Sequence, residues 1–224
     1  ATTEIYTLSL HDALPISKQA GVCTATSGPG ATNLITGIAT AYMDSIPMVA
    51  LTGQVATKLI GKDAFQEVDI TGATLPFTKH SYLIKDGLDI PRVVNEAFHI
   101  ANTGRPGPVL IDFPMDLLKK EFDYPEEDED VNIRGYKLMG KANESQVKKV
   151  AEAIKGAKKP VILAGGGVVI SDATNEFRKF VKETDIPVVS TMMGIGILPS
   201  DNPRYYGMIG SHGEIGRASC RERV

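Results

Sequence analysis

Short uninterrupted apolar runs alternate along this chain with longer segments whose apolar residues recur at helical spacing. Residues 22–25 and 48–51 are such runs, typical of parallel strands that are buried on both faces. The segment between them repeats apolar side chains every three or four positions, which predicts one helix that Pro47 ends. Asp89 is expected to cap a further helix that runs to Asn102. More strands are expected at residues 81–84, 109–112, 160–164 and 187–191, and more helices around residues 147–154 and 177–181.

This alternation predicts α/β domains with parallel sheets, and an acidic stretch at residues 119–142 divides them. Its acidic side chains are Glu121, Asp123, Glu126, Glu127, Asp128, Glu129 and Asp130. Few aliphatic residues accompany them, so a solvated interdomain linker is favoured over an acidic binding tail. The fold prediction is therefore two incomplete, layered α/β domains at residues 17–118 and 143–213, joined by that linker.

The two ends of the chain resemble translated sequencing adapter rather than native protein. Residues 214–224 correspond to one strand of a common adapter and residues 7–16 to its complementary strand, with residues 1–6 as the upstream part. Residues 1–16 and 214–224 are therefore left out of the fold prediction. The alternative is a native amphipathic N-terminus with a basic tail. On the adapter interpretation, the first domain lacks its beginning and the second lacks its end.

Composition argues against several classes of function. Without the two ends, 21 basic and 23 acidic residues remain, which does not favour binding to nucleic acid or to an anionic membrane. Cys23 is then the only cysteine, so neither a disulfide framework nor a cysteine metal site is expected. His80, His99 and His212 share no metal-ligand spacing, so no metal ligand is predicted in this chain. No apolar run approaches the roughly 18 residues that span a bilayer.

Two glycine-rich turns and one arginine are candidate ligand-binding features. Ser27-Gly28-Pro29-Gly30 presents backbone N–H groups to a polar ligand, or is simply a tight turn that needs glycine at positive φ. Gly165-Gly166-Gly167 is similar to a dinucleotide-binding turn but lacks the full spacing, which favours a structural turn. Arg105 can present its guanidinium to a phosphate or a ring, or can lie on the surface.

The segment Asp63-Ala64-Phe65-Gln66-Glu67 forms a polar loop after the second apolar run. Long ordered loops usually line a site, although the residues alone do not decide which of these polar side chains faces a ligand. No Ser-His-Asp or Cys-His arrangement is recognisable.

A family resemblance is carried by a series of motifs in order: Thr26-Ser27-Gly28-Pro29-Gly30-Ala31-Thr32-Asn33, Asp44-Ser45-Ile46-Pro47, Gly53-Gln54-Val55, Ala64-Phe65-Gln66-Glu67, Thr78-Lys79-His80, Gly104-Arg105-Pro106-Gly107-Pro108, Gly165-Gly166-Gly167, Met193-Gly194-Ile195-Gly196 and Gly207-Met208-Ile209-Gly210-Ser211-His212-Gly213. Together they closely resemble the acetolactate synthase (acetohydroxyacid synthase) large catalytic subunits, a family of thiamine-diphosphate-dependent enzymes. The resemblance covers residues 18–213. The Ala64–Glu67 motif favours this family over glyoxylate carboligase, pyruvate oxidase and benzoylformate decarboxylase.

The resemblance implies that the first domain grips the pyrimidine ring of thiamine diphosphate and that the second, central domain binds FAD. Gly28, Ser45 and Gln66 are then expected at the thiamine diphosphate site. Phe65 and Gln66 are the implied catalytic pair at the substrate pocket, and Lys79 is expected at the mouth of the substrate channel. The implied FAD contacts are Arg105, Gly166, Thr191, Met192, Ile209, Gly210, Ser211 and His212.

The implied reaction condenses two pyruvates, or pyruvate and 2-oxobutyrate, with release of CO2 in branched-chain amino acid biosynthesis. The family's activating glutamate and its Mg2+ ligands are expected outside this chain, so the fragment alone is expected to be inactive. The intact protein is expected to be a cytoplasmic bacterial homodimer or tetramer, with a possible small regulatory subunit. Two alternatives stay open: another thiamine-diphosphate-dependent carboligase or flavin oxidase, and a non-catalytic FAD- or nucleotide-binding module.

Overall fold

The computed structural model describes residues 20–124, 131–138, 140–210 and 213. The chain divides into two compact units, Ala1–Gly140 and Lys141–Val224, and each is described by itself. The boundary between them falls inside the acidic stretch at residues 119–142. The adapter-like segments at residues 1–16 and 214–224 lie outside the described residues.

The first unit is built on a parallel four-stranded sheet with the strand order β1-β2-β4-β3. Its strands are β1 (Gly21–Ala25), β2 (Met48–Gln54), β3 (His80–Leu83) and β4 (Pro108–Pro114). Its helices are α1 (Pro29–Asn33), α2 (Ile35–Met43), α3 (Ile70–Thr74), α4 (Ile90–Asn102) and α5 (Met115–Leu118). The parallel α/β arrangement predicted from the apolar runs is confirmed.

Helices cover both faces of this sheet, which is why β4 is buried along its whole length. Successive side chains of a strand point to opposite faces, so each central strand contributes to two cores. One core lies beneath the first three helices and includes Leu34, Ile38, Met48, Ala50, Ile70 and Leu110. The other lies beneath α4 and includes Val49, Val93, Ala97, Ile100, Val109 and Ile111. An uninterrupted apolar run is the expected sequence for strands in that position.

Two local predictions differ from the structure. The single helix expected before Pro47 is two short helices, α1 and α2, with Leu34 as the residue between them. Asp89 occupies the N-cap position of α4, but its carboxylate caps no backbone N–H there. It accepts a hydrogen bond from Arg92 instead, at 2.7 Å, and this exposed ion pair takes the carboxylate away from the helix end.

The described part of the predicted linker contains no helix or strand, yet it is not purely solvated. Phe122, Ile133 and Tyr136 are partly buried against the α4 side of the first unit. The Phe122 ring leaves no room for a side chain at Gly87. Acidic composition indicated the break between the units, whereas these aromatic contacts depend on tertiary packing.

The second unit has a parallel three-stranded sheet with the strand order β5-β6-β7. Its strands are β5 (Ile162–Ala164), β6 (Val188–Ser190) and β7 (Tyr205–Met208), and its helices are α6 (Glu144–Gly156), α7 (Gly166–Ile170) and α8 (Thr174–Thr184). Its small core contains Ala164, Val181, Val188, Ile197 and Leu198. The predicted helix around residues 147–154 is confirmed as α6, but its apolar residues Val147 and Val150 stay 53% and 58% exposed.

Candidate functional site

Each sheet has one edge at which the carboxyl ends of its strands meet, because all its strands are parallel. Ligands of open α/β sheets bind at that edge. In the first unit it carries the turn at residues 26–28 and the loop at residues 55–69. In the second unit it carries the turns at residues 165–167, 191–194 and 209–210.

The structure brings Gly28 and Gln66 into contact at the first of these edges. Gly28 has a φ of 62°, a conformation in which a side chain is strained. A Cβ atom at Gly28 would lie 2.8 Å from the carbonyl oxygen of Gln66 and 2.9 Å from its Cβ. Glycine is therefore needed here both for the turn and for the close approach of the loop. The Gly-Pro-Gly corner and the polar loop, two separate sequence signals, form one feature.

The polar loop is held in shape by Glu67. Its carboxylate accepts hydrogen bonds from the backbone N–H groups of Ala64, at 2.8 Å, and Gly61. These bonds, that of Ala64 first, lower the pKa of Glu67. Asp63 and Gln66 adopt left-handed backbone conformations with φ of 53° and 59°, which such a closed loop requires. Glu67 thus faces its own loop, and the side chain of Gln66 is exposed.

Phe65 does not line a cavity in this unit, because its side chain is 89% exposed. The expectation that Phe65 walls a dry substrate pocket therefore stays a prediction. Other apolar side chains at the same edge are also exposed: Leu59 by 46%, Met115 by 48% and Leu118 by 60%. The carboxyl edge of the first sheet therefore has an exposed apolar surface.

A buried polar network lies below the loop, and sequence reasoning missed it. Asp112, 1% exposed, accepts a hydrogen bond from the Thr52 hydroxyl at 2.7 Å and another from the Gln54 amide at 2.9 Å. Burial raises the pKa of Asp112 to about 6, although these two hydrogen bonds act in the opposite direction. The nearby charge of Asp69 adds to the increase. The available signal was the presence of polar residues within two otherwise apolar strands.

A second tie anchors the start of the loop. Asp116 in α5 accepts hydrogen bonds from the Thr57 hydroxyl, at 2.6 Å, and from the Thr57 backbone N–H, at 2.9 Å. Both bonds lower the pKa of Asp116. The loop is thus attached to β2, through Gln54, and to α5, through Asp116, and the residues around Gln66 project from a fixed base.

Ser45 does not join this site. It follows α2, whereas Gly28 precedes α1, and the two helices together span about 20 Å at 1.5 Å per residue. Ser45 therefore lies at the amino edge of the sheet, opposite the edge that carries Gln66. Within the unit, Ser45 and Gln66 are thus separated, and the expectation that both contact thiamine diphosphate stays a prediction.

Arg105 lies at the same amino edge and closes the end of α2. Its guanidinium donates to the Ser45 hydroxyl at 2.7 Å and to the carbonyl oxygens of Met43 at 3.1 Å and Tyr42 at 3.3 Å. Carbonyl groups at a helix C-terminus lack partners within the helix and favour a nearby cation. Within the first unit, Arg105 is thus a helix-terminating side chain, and a contact with FAD stays a prediction.

Lys79 has the same role at the end of α4. Its ammonium donates to the carbonyl oxygens of Ile100 and, at 2.6 Å, Thr103, and it lies 3.3 Å from the Tyr136 hydroxyl. Gly107 makes room for the lysine stem, since a Cβ there would lie 3.1 Å from two of its carbons. Within the first unit, Lys79 therefore closes the end of α4, and its expected place at the mouth of a substrate channel stays a prediction.

In the second unit, five of the predicted FAD contacts lie at the carboxyl edge of the sheet: Gly166, Thr191, Met192, Ile209 and Gly210. Thr191 donates its N–H to the Ala164 carbonyl, and Ile209 donates its own to that of Ser190, both at 2.9 Å. A Cβ at Gly166 would lie 3.0 Å from the Cβ of Met193, so this glycine serves the packing of two neighbouring turns. Ser211 and His212 lie outside the described residues.

An open groove of about 400 Å3 lies between α7 and α8 of the second unit. Its lining includes Val168, Phe177 and Phe180 and is mainly apolar, with Ser171 and Glu176 as polar members. The predicted FAD contacts Gly166, Thr191 and Met192 do not line this groove, although the neighbouring Gly167 does.

The remaining reactive side chains restrict the chemistry further. Burial raises the pKa of the Cys23 thiol to about 11, which keeps it protonated and a poor nucleophile. Among the described residues, no group of three or more His, Cys, Asp or Glu side chains is arranged to hold a metal ion. No helix within the described ranges has both the length and the apolar character needed to cross a membrane.

Comparison with known proteins gives two family matches. Residues 13–73 match the N-terminal TPP binding domain of thiamine pyrophosphate enzymes, and residues 147–222 match the central domain of the same enzymes. Both ranges extend into the segments that resemble adapter.

Curated relatives include a probable acetolactate synthase large subunit from Methanocaldococcus jannaschii, 53% identical over 200 residues, which cover 88% of this chain and 34% of the relative. Acetolactate synthase from Mycobacterium bovis is 49% identical over 210 residues, 93% of this chain and 34% of the relative. The acetolactate synthase large subunit of Corynebacterium glutamicum is 46% identical over 208 residues, 93% of this chain and 33% of the relative. The chain thus spans about a third of the length of the relatives it matches.

Proposed function

Because the chain belongs to the thiamine pyrophosphate enzyme family and carries parts of its N-terminal and central domains, we propose that it is part of an acetolactate synthase large subunit. The relatives with 46–53% identity bear that name or the name acetolactate synthase. The observation that carries the proposal is the contact between Gly28 and Gln66, at the carboxyl edge of the sheet in the unit that contains the TPP binding match.

The side chains at this edge fit the pyrimidine half of thiamine diphosphate. Gln66 is an exposed amide that can both donate and accept hydrogen bonds, as ring nitrogens and an amino group require. Phe65, next to it, offers an exposed aromatic face for stacking or for excluding water. Both residues are on a loop fixed by Glu67 and Thr57, so their positions are set before a ligand arrives.

The proposed reaction joins two pyruvates, or pyruvate and 2-oxobutyrate, with loss of CO2. When bound, thiamine diphosphate supplies the electron sink for decarboxylation. In this proposal, Gln66 orients the reacting groups by hydrogen bonding, and Phe65 keeps water away from them. The activating glutamate and the Mg2+ ligands are proposed to lie on parts of the protein beyond this chain, so the chain alone is expected to form no acetolactate.

FAD is proposed at the carboxyl edge of the second sheet. The convergence there of Gly166, Thr191, Met192, Ile209 and Gly210 supports it, with Ser211 and His212 as further proposed contacts. The contact of Gly166 with Met193 means that this glycine is explained without FAD. The proposal for FAD therefore depends on the convergence of the turns alone.

The intact protein is proposed to be a cytoplasmic homodimer or tetramer that uses 2-oxo acids, and a small regulatory subunit is a further proposed partner. The exposed apolar side chains at the first carboxyl edge, Phe65 above all, support burial against a second subunit.

A chimaeric enzyme tests the proposed function. Residues 20–210 of this chain replace the matching third of the Methanocaldococcus jannaschii relative, and acetolactate formation is measured with pyruvate, thiamine diphosphate, Mg2+ and FAD. We expect activity in the chimaera, a large loss in its Gln66→Ala variant, and none in the 224-residue chain alone. A folded chimaera that makes acetyl phosphate or an aldehyde instead would favour another enzyme of the family. A folded chimaera without any turnover would refute the proposal.

A further inference from the structure

We infer that Gln54 is a positioning residue that holds the Gln66 loop in place on the Gly28 turn, an inference whose functional meaning depends on the proposed role of that loop. Gln54 is the last residue of β2 and is only 7% exposed. Its side-chain oxygen accepts a hydrogen bond from the Val55 N–H at 2.8 Å. Its side-chain nitrogen donates to the Val68 carbonyl at 2.8 Å and to Asp112 at 2.9 Å.

The two backbone partners of Gln54 stand at opposite ends of the loop. Val55 is its first residue, and Val68 follows Gln66 by two positions. One amide group therefore joins the two arms of a loop that Glu67 also helps to close and that Thr57 attaches to α5. Because the Gln66 backbone contacts the Gly28 turn so closely, a shift at Val68 would be transmitted to that contact.

Asp112, the Val68 carbonyl and the Val55 N–H all favour the same orientation of the Gln54 amide. A carboxylate can only accept hydrogen bonds, so the nitrogen of Gln54 must point towards it and the oxygen towards the Val55 N–H. The second oxygen of Asp112 is occupied by the Thr52 hydroxyl. With its orientation fixed on both sides, the Gln54 nitrogen is also directed at Val68.

Exchanging the amide of Gln54 and the carboxylate of Asp112 distinguishes an effect on the position of the loop from an effect on the stability of the whole unit. Gln54→Glu removes the donor to Val68 and places two carboxylates side by side. In the double variant Gln54→Glu/Asp112→Asn the number of buried carboxylates is as in the wild type. The amide introduced at position 112 can then donate to the carboxylate introduced at position 54 and accept from Thr52, so the pair is restored, whereas Val68 still lacks its donor. Asp112→Asn alone is the matched control, because it keeps the Gln54 donor to Val68.

Amide hydrogen exchange of the full 224-residue chain measures the protection of the loop, and urea unfolding of the same samples measures global stability. We expect roughly tenfold faster exchange at Ala64 and Glu67 in the double variant, from the loss of one buried hydrogen bond, with the unfolding midpoint and the exchange of β2 and β4 close to wild type. Asp112→Asn should leave loop exchange unchanged.

The inference would be overturned if the loop of the double variant exchanged as slowly as that of the wild type. It would also be overturned if the loop exchanged faster only to the extent that the whole protein became less stable. If Gln54→Glu does not fold, Gln54→Met, which removes the donor without adding charge, should show the same loop-specific acceleration. The measurement needs no cofactor, so its failure is distinct from a failure of the chimaera assay.

Discussion

The buried carboxylate of Asp112 predicts an unusual dependence of stability on pH. Its pKa in the folded unit is raised from 3.8 to about 6 by burial, so the folded state binds the proton more tightly than the unfolded state does. The stabilisation associated with the protonated group is complete below pH 3.8 and is lost as the pH rises through about 6. At about 1.4 kcal/mol per pKa unit, the loss amounts to roughly 3 kcal/mol.

Asp112→Asn removes this titration while retaining the network. The asparagine oxygen can accept from Gln54 and its nitrogen can donate to the Thr52 hydroxyl, which rotates to accept. The free energy of unfolding of the variant relative to wild type should therefore rise by about 2.4 kcal/mol between pH 4 and pH 7, with most of the change between pH 4 and pH 6. Glu67 and Asp116, whose pKa values are lowered, act in the opposite direction in both proteins and cancel in the difference.

Urea unfolding followed by circular dichroism at several pH values between 4 and 7 measures this difference. Asp123→Asn, an exposed position in the same unit, serves as the matched control and should give a nearly flat difference. A flat profile for Asp112→Asn as well would refute the reasoning, because it would mean that Asp112 ionises in the folded unit as it does in water.

Two further substitutions test the contacts that shape the two edges of the first sheet. Gly28→Ala should lower the free energy of unfolding by at least 1–2 kcal/mol more than Gly61→Ala does. Both positions have positive φ, but only Gly28 has Gln66 packed against it. Equal urea midpoints for the two variants would contradict the close approach of Gln66 to Gly28. Lys79→Met should destabilise the first unit by roughly 1–3 kcal/mol, because the carbonyl groups at the end of α4 lose their hydrogen-bond donor. Lys85→Met, at an exposed position, is the control and should change the urea midpoint little. Similar small effects for both variants would show that Lys79 is not needed at that helix end.

The positions of Ser45 and Gln66 at opposite edges of the sheet could be predicted from the sequence. Ser45 precedes β2 and Gln66 follows it, and in a parallel sheet those positions lie at opposite edges. The same rule separates Lys79 and Arg105, which precede β3 and β4, from the loop that carries Phe65. Motif order along the chain identified the family but did not preserve this distinction.

By itself, the sequence determined the alternation of strands and helices, the parallel sheets and the family, because apolar periodicity and motif order are local properties of the chain. Only the tertiary structure decided that Gly28 meets Gln66, that Asp112 is buried beside Gln54, and that Lys79 and Arg105 end helices. Each of these contacts joins residues from different elements of the fold. Their protonation and hydrogen-bond partners depend on burial and distance, which exist only once the sheet and its helices have assembled.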